Sequence, residues 1–292
     1  MERKKTIDLH VHSNYSDGTY TPEQLVDYSI KKGLAAFALT DHDAAMGVDD
    51  APAYREKISA PVEVIPGIEI SAEYHKKEIH MVGLYICHTD KNLIDSTRYY
   101  VELRERRNYQ MAENFRNAGI PMTVEELQEG NPETVITRAH FARHLIKLGV
   151  VGSTKEAFSK YLGEDCPLYV PRKLMPAADA ISAILQAGGI PVLAHPIHYH
   201  MEEDALHSMV KTFKEQGLMG IEVKYSNHTA QDEMLVNRLA KEFDLLPSGG
   251  SDFHGDNKPD IDLGSGRGNL SIPYEYLEGI KERKSELSDQ NR

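Results

Sequence analysis

Cysteines and long apolar runs are scarce in this 292-residue chain. Its two cysteines, Cys87 and Cys166, are far apart, which excludes a disulfide scaffold and makes the reducing cytoplasm the expected compartment. No apolar run approaches the ~18 residues of a membrane span, so we expect no membrane association. The basic N-terminus leads into Thr6–His10, which is too short and too polar for the apolar core of a signal peptide.

Positive charge is also in deficit. The net charge is -12, whereas a protein that coats long nucleic acid usually presents a basic face. The deficit is uneven. Residues 95–175 contain 12 Lys/Arg and 11 Asp/Glu, while the rest of the chain contains 21 and 34. The middle of the chain is therefore where we expect contacts with anions, and we expect no long nucleic acid as a partner.

Three common catalytic motifs are absent as well. The chain contains no G-x-S-x-G nucleophile elbow, no G-x-x-x-x-G-K-[ST] phosphate loop, and no G-x-G-x-x-G followed by an acidic residue. The sequence thus offers no support for a serine hydrolase, a P-loop enzyme or a dinucleotide-binding enzyme.

Short apolar segments alternate with helical patterns in the first ninety residues and again after residue 176. The pattern predicts roughly seven strands in βα units, which favours a parallel, barrel-like α/β fold with its site at the carboxyl ends of the strands. Between these two parts we find only helical patterns, beginning with a long helix over Tyr99–Ala118. We therefore predict a domain made of residues 1–94 and 176–292, interrupted by an inserted helical subdomain at 95–175.

Metal-binding side chains follow nearly every predicted strand. The first strand ends in His10-Val11-His12, and residues two apart in a strand point to the same face, so both imidazoles can reach one cation. A single His-x-His is weak evidence, and a lone histidine at a strand end is usually structural. Repetition of the rule at six strand ends favours a metal site. The other candidates from this pattern are His42, Glu69, His80, His195, Asp252 and His254.

These segments, in this order, resemble the PHP (polymerase and histidinol phosphatase) superfamily from about Ile7 to about Gly264. The resemblance is carried by Asp8–His12, Ser16–Gly18, Leu39–Asp43, Pro66–Ser71, Ile79–His80, Ala194–Pro196 and Gly249–Gly255. It implies a distorted (β/α)7 barrel that holds two or three divalent metal ions. The implied metal ligands are His10, His12, Asp17, His42, Glu69, His80, His195, Asp252 and His254.

The implied chemistry is hydrolysis of a phosphoester by a metal-activated hydroxide, with Glu69, Asp252 and His195 as the catalytic residues. Nitrogen and oxygen ligands without thiolate fit Mn²⁺, Fe²⁺ or Zn²⁺, and the sequence does not choose among them. We expect Asp41 to orient a neighbouring ligand, because metal-bound imidazoles need an acceptor behind them.

The insertion contains Ile136–Arg143, which resembles the phosphate-binding segment of the nucleotide phosphoesterase branch of this superfamily. The predicted substrate contacts are Arg138, His140, Arg143, Lys173, Asn227 and His228. The alternative for each is an ordinary surface charge or a helix-end pair. We expect the arginines of the segment 104–116 to pair with Glu102, Glu105 and Glu113 on their own helix rather than to bind nucleic acid.

The resulting prediction is a metal-dependent phosphatase that acts on a small nucleotide, with the 3'-phosphate of nucleoside 3',5'-bisphosphates as the preferred target. One alternative is a 5'-to-3' exoribonuclease that acts on short RNA, and another is a histidinol-phosphate phosphatase. A non-enzymatic alternative is a metal-binding interaction domain, which the complete ligand set disfavours. The sequence does not indicate the oligomeric state.

Overall fold

The strands of the computed structural model form one curved sheet that nearly closes into a barrel. The structure describes residues 5–43 and 45–290. The strands in these residues are β1 (Thr6–Val11), β2 (Ala36–Leu39), β3 (Glu63–Tyr74), β4 (Lys77–Leu84), β5 (Met175–Pro176), β6 (Ile190–Leu193), β7 (Gly220–Tyr225), β8 (Leu246–Gly250) and β9 (Ile272–Pro273). The helices are α1 (Pro22–Lys32), α2 (Asp50–Lys57), α3 (Lys91–Asn117), α4 (Val124–Leu127), α5 (Arg138–Lys147), α6 (Thr154–Ala157), α7 (Ala177–Gln186), α8 (Glu203–Glu215), α9 (Ala230–Glu242) and α10 (Tyr274–Gln290).

The sheet runs in the order β8-β7-β6-β4-β3-β2-β1-β9, with β5 paired to β3. A parallel bridge between Val11 and Phe253 brings β1 beside the segment that follows β8. Asp8 strengthens this closure, because its Oδ1 accepts the N–H of Ser251 at 2.8 Å and its Oδ2 accepts the N–H of Gly264 at 2.7 Å. The predicted barrel-type α/β fold is confirmed.

Two strands depart from the parallel arrangement that the alternating pattern predicts: the short strand β9, which is antiparallel to β1, and β4. β4 runs antiparallel to both of its neighbours, β3 and β6. It follows β3 through a tight turn in which His75 and Lys76 both have positive φ angles, 49° and 64°. Two consecutive residues in the left-handed region match the twist of a hairpin, so the chain reverses without a crossover helix. The expectation of a parallel sheet was therefore wrong at β4 and at β9.

The first helix shows how local sequence fixes element ends. Thr21 caps α1, its side chain accepting from the backbone of Gln24, while the Gln24 side chain bonds back to the Thr21 backbone. Pro22 occupies the first turn, where its missing N–H costs nothing. Gly33 ends the helix with φ 73°, as expected for a residue without a Cβ.

The helices α3 to α6 build an apolar cluster of their own. Met111 and Phe115 on α3 pack with Phe141 and Leu145 on α5, and all four are fully buried. α3 begins at Lys91, eight residues before the predicted start, because Asp90 caps it by accepting from the N–H of Leu93. None of the helices in residues 5–43 and 45–290 is long and apolar enough to cross a membrane.

Candidate active site

The structure brings all nine sequence-predicted metal ligands into one cluster at the mouth of the barrel. Side chains of β1, β3 and β4 meet side chains from the segments that follow β2, β6 and β8. They fall into four overlapping groups, and within each group the ligand atoms lie within 4.8 Å of one another. The groups are His12, Asp17, His42 and His254; His10, Glu69 and His195; His10, His12 and Asp252; and His42, Glu69 and His80.

Glu69 lies at the centre of this cluster. Its Oε1 is 2.8 to 3.2 Å from ring nitrogens of His10, His80 and His195. Its Oε2 is 3.0 Å from His42 Nδ1 and 3.2 Å from His12 Nε2. The carboxylate therefore faces five imidazoles, with one oxygen toward each half of the cluster, as a bridging ligand between two cations would.

Asp17 anchors the outer group. Its Oδ1 lies 3.1 Å from His254 Nε2 and 3.8 Å from His42 Nε2. Its Oδ2 accepts a hydrogen bond of 2.8 Å from the hydroxyl of Thr137, the residue that caps α5. The N-terminus of α5 thus contacts the cluster of candidate ligands directly through this carboxylate.

The cluster fits divalent cations on its own chemistry. His10 Nε2, His12 Nε2, His42 Nδ1 and Asp17 Oδ1 are buried and make no hydrogen bond with any residue in the described part of the chain. Buried polar atoms without partners are costly and rare. Imidazole nitrogens and carboxylate oxygens without thiolate suit Mn²⁺, Fe²⁺ or Zn²⁺. Cations bound between these atoms would satisfy them.

A second layer of side chains orients the ligands. Asp41 accepts hydrogen bonds from Ser13 and Ser16, and the Ser16 hydroxyl lies 3.3 Å from His12 Nδ1. The structure therefore places Asp41 behind the ligands, as the sequence interpretation expected. Glu222, which that interpretation missed, lies 3.2 Å from His10 Nδ1. An acidic residue within the apolar strand β7 was the available signal.

The charges inside the cluster are strongly coupled. Burial alone would lower the pKa of His80, but the neighbouring charge of Glu69 raises it to about 10. His12 behaves in the same way, and its pKa rises to about 9 against the effect of burial, through Asp252 and Glu69. Without a cation these imidazoles therefore hold protons at neutral pH, and those protons must leave when a metal binds.

Two of the ligands sit on strained backbone. His195 has φ 26° and Asp252 has φ 58°, in the left-handed region that residues with a Cβ rarely adopt. Each comes within two residues of the end of its strand, β6 or β8. Such strain persists where surrounding structure enforces it, commonly at functional sites, and here it turns both side chains into the cluster.

A cavity of about 390 Å³ opens beside the cluster. Candidate metal ligands, among them His42, His80 and His195, line part of it, and residues of α3, α5 and the segment 154–172 line much of the rest. The basic residues that line it are Arg104, Arg107, Arg138, Arg172, and Lys258. The ammonium of Lys258 lies 2.6 Å from Asp252 Oδ2.

Three of the four arginines have carboxylate partners. Arg104 forms a buried ion pair with Asp43, which corrects the expectation that the helix glutamates would be its partners. Arg172 Nη2 lies 2.9 Å from Glu78 Oε1, and Arg138 Nη2 lies 3.5 Å from Glu78 Oε2. Helical spacing alone could not reveal Asp43, because it lies 61 residues away in the chain.

Arg107 differs from the other three. Its side chain is buried, the residue is only 5% exposed, and no ion pair links it to a carboxylate in the described residues. Its Nε makes no hydrogen bond there. Burial, followed by the positive charges of Arg104, Arg172 and Arg138, lowers the pKa of Arg107. The lining of the cavity therefore includes a positive charge without a carboxylate partner. The sequence did not reveal it, because burial of one helix position is not visible in a local pattern.

The predicted substrate contacts in the insertion have different surroundings. Arg138 lines the cavity, with its guanidinium over the rings of Phe158 and Tyr169. His140 is buried and its Nδ1 accepts the backbone N–H of Thr137 at 3.0 Å, so it completes the cap of α5. It is not among the residues that line the cavity.

Four further candidates also lie outside the cavity lining. Arg143 pairs with Glu129 and donates to Asn257, and the ammonium of Lys173 lies over the ring of Tyr99. The remaining two lie after β7: Asn227 accepts from Arg267, and His228 Nδ1 lies 2.9 Å from the carbonyl of Val223. Among the six predicted contacts, only Arg138 is in position to touch a molecule in this cavity.

Comparison with known proteins agrees with this geometry. The PHP domain family matches residues 8–148. The chain is 35% identical over 253 residues to a 5'-3' exoribonuclease of Haemophilus influenzae, covering 86% of this chain and 90% of that protein. It is 35% identical over 260 residues to a 3',5'-nucleoside bisphosphate phosphatase of Chromobacterium violaceum, covering 88% and 90%. A structure described as a metal-dependent phosphoesterase from Bifidobacterium adolescentis superimposes with a TM-score of 0.83 at 28% identity, covering 94% and 95%.

Proposed function

The chain belongs to the PHP family of metal-dependent phosphoesterases, and on that premise we propose that it removes the 3'-phosphate from nucleoside 3',5'-bisphosphates. Membership makes it a hydrolase of phosphoester bonds. The observation that carries the finer proposal is Arg107, a buried guanidinium without a carboxylate partner in the described residues, which lines the same cavity as His42, His80 and His195. One cavity would then hold two phosphates, one at the metals and one at Arg107.

The charges of the cavity lining support the binding of a phosphate dianion by Arg104, Arg107, Arg138 and Arg172, which we call the arginine wall. Arg104, Arg138 and Arg172 surround Arg107, while the nearby carboxylates, Asp43 and Glu78, are already shared among those three. A guanidinium binds phosphate through two parallel N–H bonds, and such bonds are strongest where water is excluded. A non-reacting 5'-phosphate held here would position the 3'-phosphate for reaction, so that remote binding energy appears as rate.

The cluster of candidate metal ligands would supply the hydrolytic chemistry. When bound, divalent cations provide an activated water and direct stabilisation of phosphoryl oxygens. We propose Glu69, Asp252 and His195 as the residues on which turnover depends, with Glu69 fixing the spacing of the ligand groups. Lys258 lines the cavity beside Asp252, so its charge would face the reacting phosphate. In this proposal the segment 95–175 is the substrate-recognition part.

A second candidate function is 5'-to-3' exonucleolytic cleavage of short RNA. The similarity to the Haemophilus influenzae exoribonuclease, equal in identity to that of the bisphosphate phosphatase, favours it. The same arginine wall would then hold the 5'-phosphate of an oligonucleotide, and the metal-binding cluster would act on the first phosphodiester. Both candidates need the same groups, so the substrate itself must decide between them.

The experiment compares four substrates on the metal-loaded protein: adenosine 3',5'-bisphosphate, adenosine 3'-monophosphate, adenosine 5'-monophosphate and a 5'-phosphorylated RNA pentamer. We expect the bisphosphate to have the highest kcat/KM, roughly tenfold or more above the 3'-monophosphate, because only it engages both walls. Faster release of mononucleotides from the pentamer would favour the exonuclease. Equal rates on both adenosine 3'-phosphates would contradict the two-phosphate proposal.

A further inference from the structure

The two carboxylate oxygens of Asp252 have different surroundings. Oδ1 faces the imidazoles of the cluster, 3.4 Å from His12 Nε2 and 3.3 Å from His254 Nδ1. Oδ2 accepts the hydroxyl of Tyr225 at 2.8 Å and the ammonium of Lys258 at 2.6 Å. A carboxylate has about four lone-pair sites on its two oxygens, so two donors satisfy Oδ2. Oδ1 is therefore the oxygen that can face a cation.

The two donors to Oδ2 differ in what else they can reach. The side chain of Lys258 is 36% exposed and lines the active-site cavity. Tyr225 is only 3% exposed and, within the described residues, is not part of that lining. The ammonium of Lys258 can therefore turn from Asp252 to a molecule in the cavity, whereas the hydroxyl of Tyr225 stays on the carboxylate.

An irregularity in β7 places Tyr225 inside the barrel. Glu222 also points inward, because its Oε2 accepts the backbone N–H of His195 at 2.7 Å. Residues three apart in a regular strand point to opposite faces, so these two side chains could not both face the cluster. The register with β8 shifts by one residue between Glu222 and Lys224, and Lys224 pairs with Glu233 on the helix side. This bulge turns Tyr225 back toward the cluster.

The backbone around Asp252 is fixed in the same place. The hydroxyl of Ser226 donates to the carbonyl of Ser251 at 2.6 Å, which ties the end of β7 to the residue before Asp252. The N–H of Asp252 donates to the carbonyl of His10 at 2.9 Å. The strained φ of 58° at Asp252 is thus enforced by its neighbours, and the Tyr225 hydroxyl meets a carboxylate whose backbone cannot move away.

We propose that Tyr225 is a positioning residue: its hydroxyl holds Asp252 Oδ2, so that Oδ1 faces the cation and Lys258 is free to bind a phosphate oxygen of the substrate. The proposal rests on Asp252 being a metal ligand, as in the proposed function. Groups that orient metal ligands change metal affinity or activity by about 10- to 100-fold when they are removed. Lys258 cannot fix the carboxylate in the same way, because its stem is flexible and its side chain is partly exposed.

The test is equilibrium dialysis of the full-length chain against Mn²⁺, with bound manganese measured by elemental analysis and no substrate present. Tyr225→Phe should weaken the affinity for Mn²⁺ about tenfold, and kcat for phosphate release should fall by a similar factor. A tyrosine that only packs would leave the affinity for Mn²⁺ unchanged, because phenylalanine keeps the ring. Tyr85→Phe is the matched control, since it removes a hydroxyl that donates to Glu63, and neither residue belongs to the ligand groups of the described chain.

Lys258→Met separates the roles of the two donors. It should raise KM for adenosine 3',5'-bisphosphate about tenfold, because a charged contact to phosphate is lost. It should not weaken the binding of Mn²⁺, because Tyr225 still holds Oδ2. If Tyr225→Phe does not fold by circular dichroism, Lys258→Met decides alone, and a tenfold loss of Mn²⁺ affinity in this variant would overturn the proposal.

Two further results would also overturn it. One is an affinity for Mn²⁺ in Tyr225→Phe that equals that of the wild type. The other is unchanged Mn²⁺ binding by Asp252→Asn, which would remove Asp252 from the ligand set. Because Mn²⁺ binding is measured without substrate, a failure of the phosphatase proposal is seen separately, as the absence of phosphate release by the wild type.

Discussion

Replacing Arg107 with methionine should make the protein more stable and the enzyme worse. The guanidinium is buried without a carboxylate partner in the described residues, and its pKa is lowered by that burial and then by the neighbouring arginines. Substitution of a buried, uncompensated charge by an apolar side chain removes a desolvation cost, so we expect the free energy of unfolding to rise by about 1–3 kcal/mol. Loss of a charged contact to a bound phosphate costs about 2–4 kcal/mol, or roughly 30- to 1,000-fold in kcat/KM for a bisphosphate.

The free energy of unfolding should rise while kcat/KM falls. Simple misfolding would lower both quantities, so the two explanations can be told apart. Urea unfolding gives the stability, and phosphate release from adenosine 3',5'-bisphosphate and p-nitrophenyl phosphate gives the activity. The small ester should change less than about twofold, because it has no second phosphate to hold.

Arg106→Met is the control, since Arg106 is exposed on the same helix. Arg138→Met should cost less than Arg107→Met, because Arg138 is partly exposed and already pairs with Glu78. Equal losses on both esters for Arg107→Met, or a fall in stability, would refute the reasoning.

Further predictions concern the metal centre and the barrel closure. Glu69→Ala should abolish phosphate release while circular dichroism stays native, because five imidazoles lose their shared carboxylate; Glu73→Ala, exposed on the same strand, should be silent. Asp8→Asn should lower the free energy of unfolding by about 1–3 kcal/mol. Each carboxylate oxygen of Asp8 accepts a backbone N–H, and the NH₂ group of asparagine would face one of these donors. Asp49→Asn is the control, because Asp49 is exposed and its change should have little effect. His80, with its pKa raised to about 10, must lose a proton to bind Mn²⁺, so apparent affinity should tighten from pH 6 to pH 8 with measurable proton release; a pH-independent affinity would contradict this.

The residues of the candidate metal cluster could be chosen from the sequence because each signal is local. His10 and His12 are two apart in a strand, and Asp252 and His254 repeat that spacing after another strand. The barrel rule then brings separate strand ends to one place. The sequence did not reveal the reversal of the chain between β3 and β4. The turn of this hairpin contains neither glycine nor asparagine, the residues that usually mark such a turn.

The arginine wall could not be predicted for a different physical reason. The sequence analysis expected the arginines of α3 to pair with glutamates of their own helix, but the helix packs on the barrel and Arg104 pairs with Asp43. The same packing buries Arg107. Burial depends on which face of a long helix packs against another element. When arginines lie on the buried face, the sequence shows no clear apolar stripe that would identify that face.

Two of the contacts between the segment 95–175 and the barrel end beside proposed metal ligands. Thr137 donates to Asp17, itself a candidate ligand, and Arg104 holds Asp43, next to His42. Asp17 and His42 belong to the same outer ligand group. The insertion therefore positions the outer part of the cluster while it also forms the arginine wall. A change in substrate recognition by α3 or α5 would alter the geometry of that group as well. The affinity of this group for a divalent cation and the preference for a second phosphate should therefore vary together among variants of this protein.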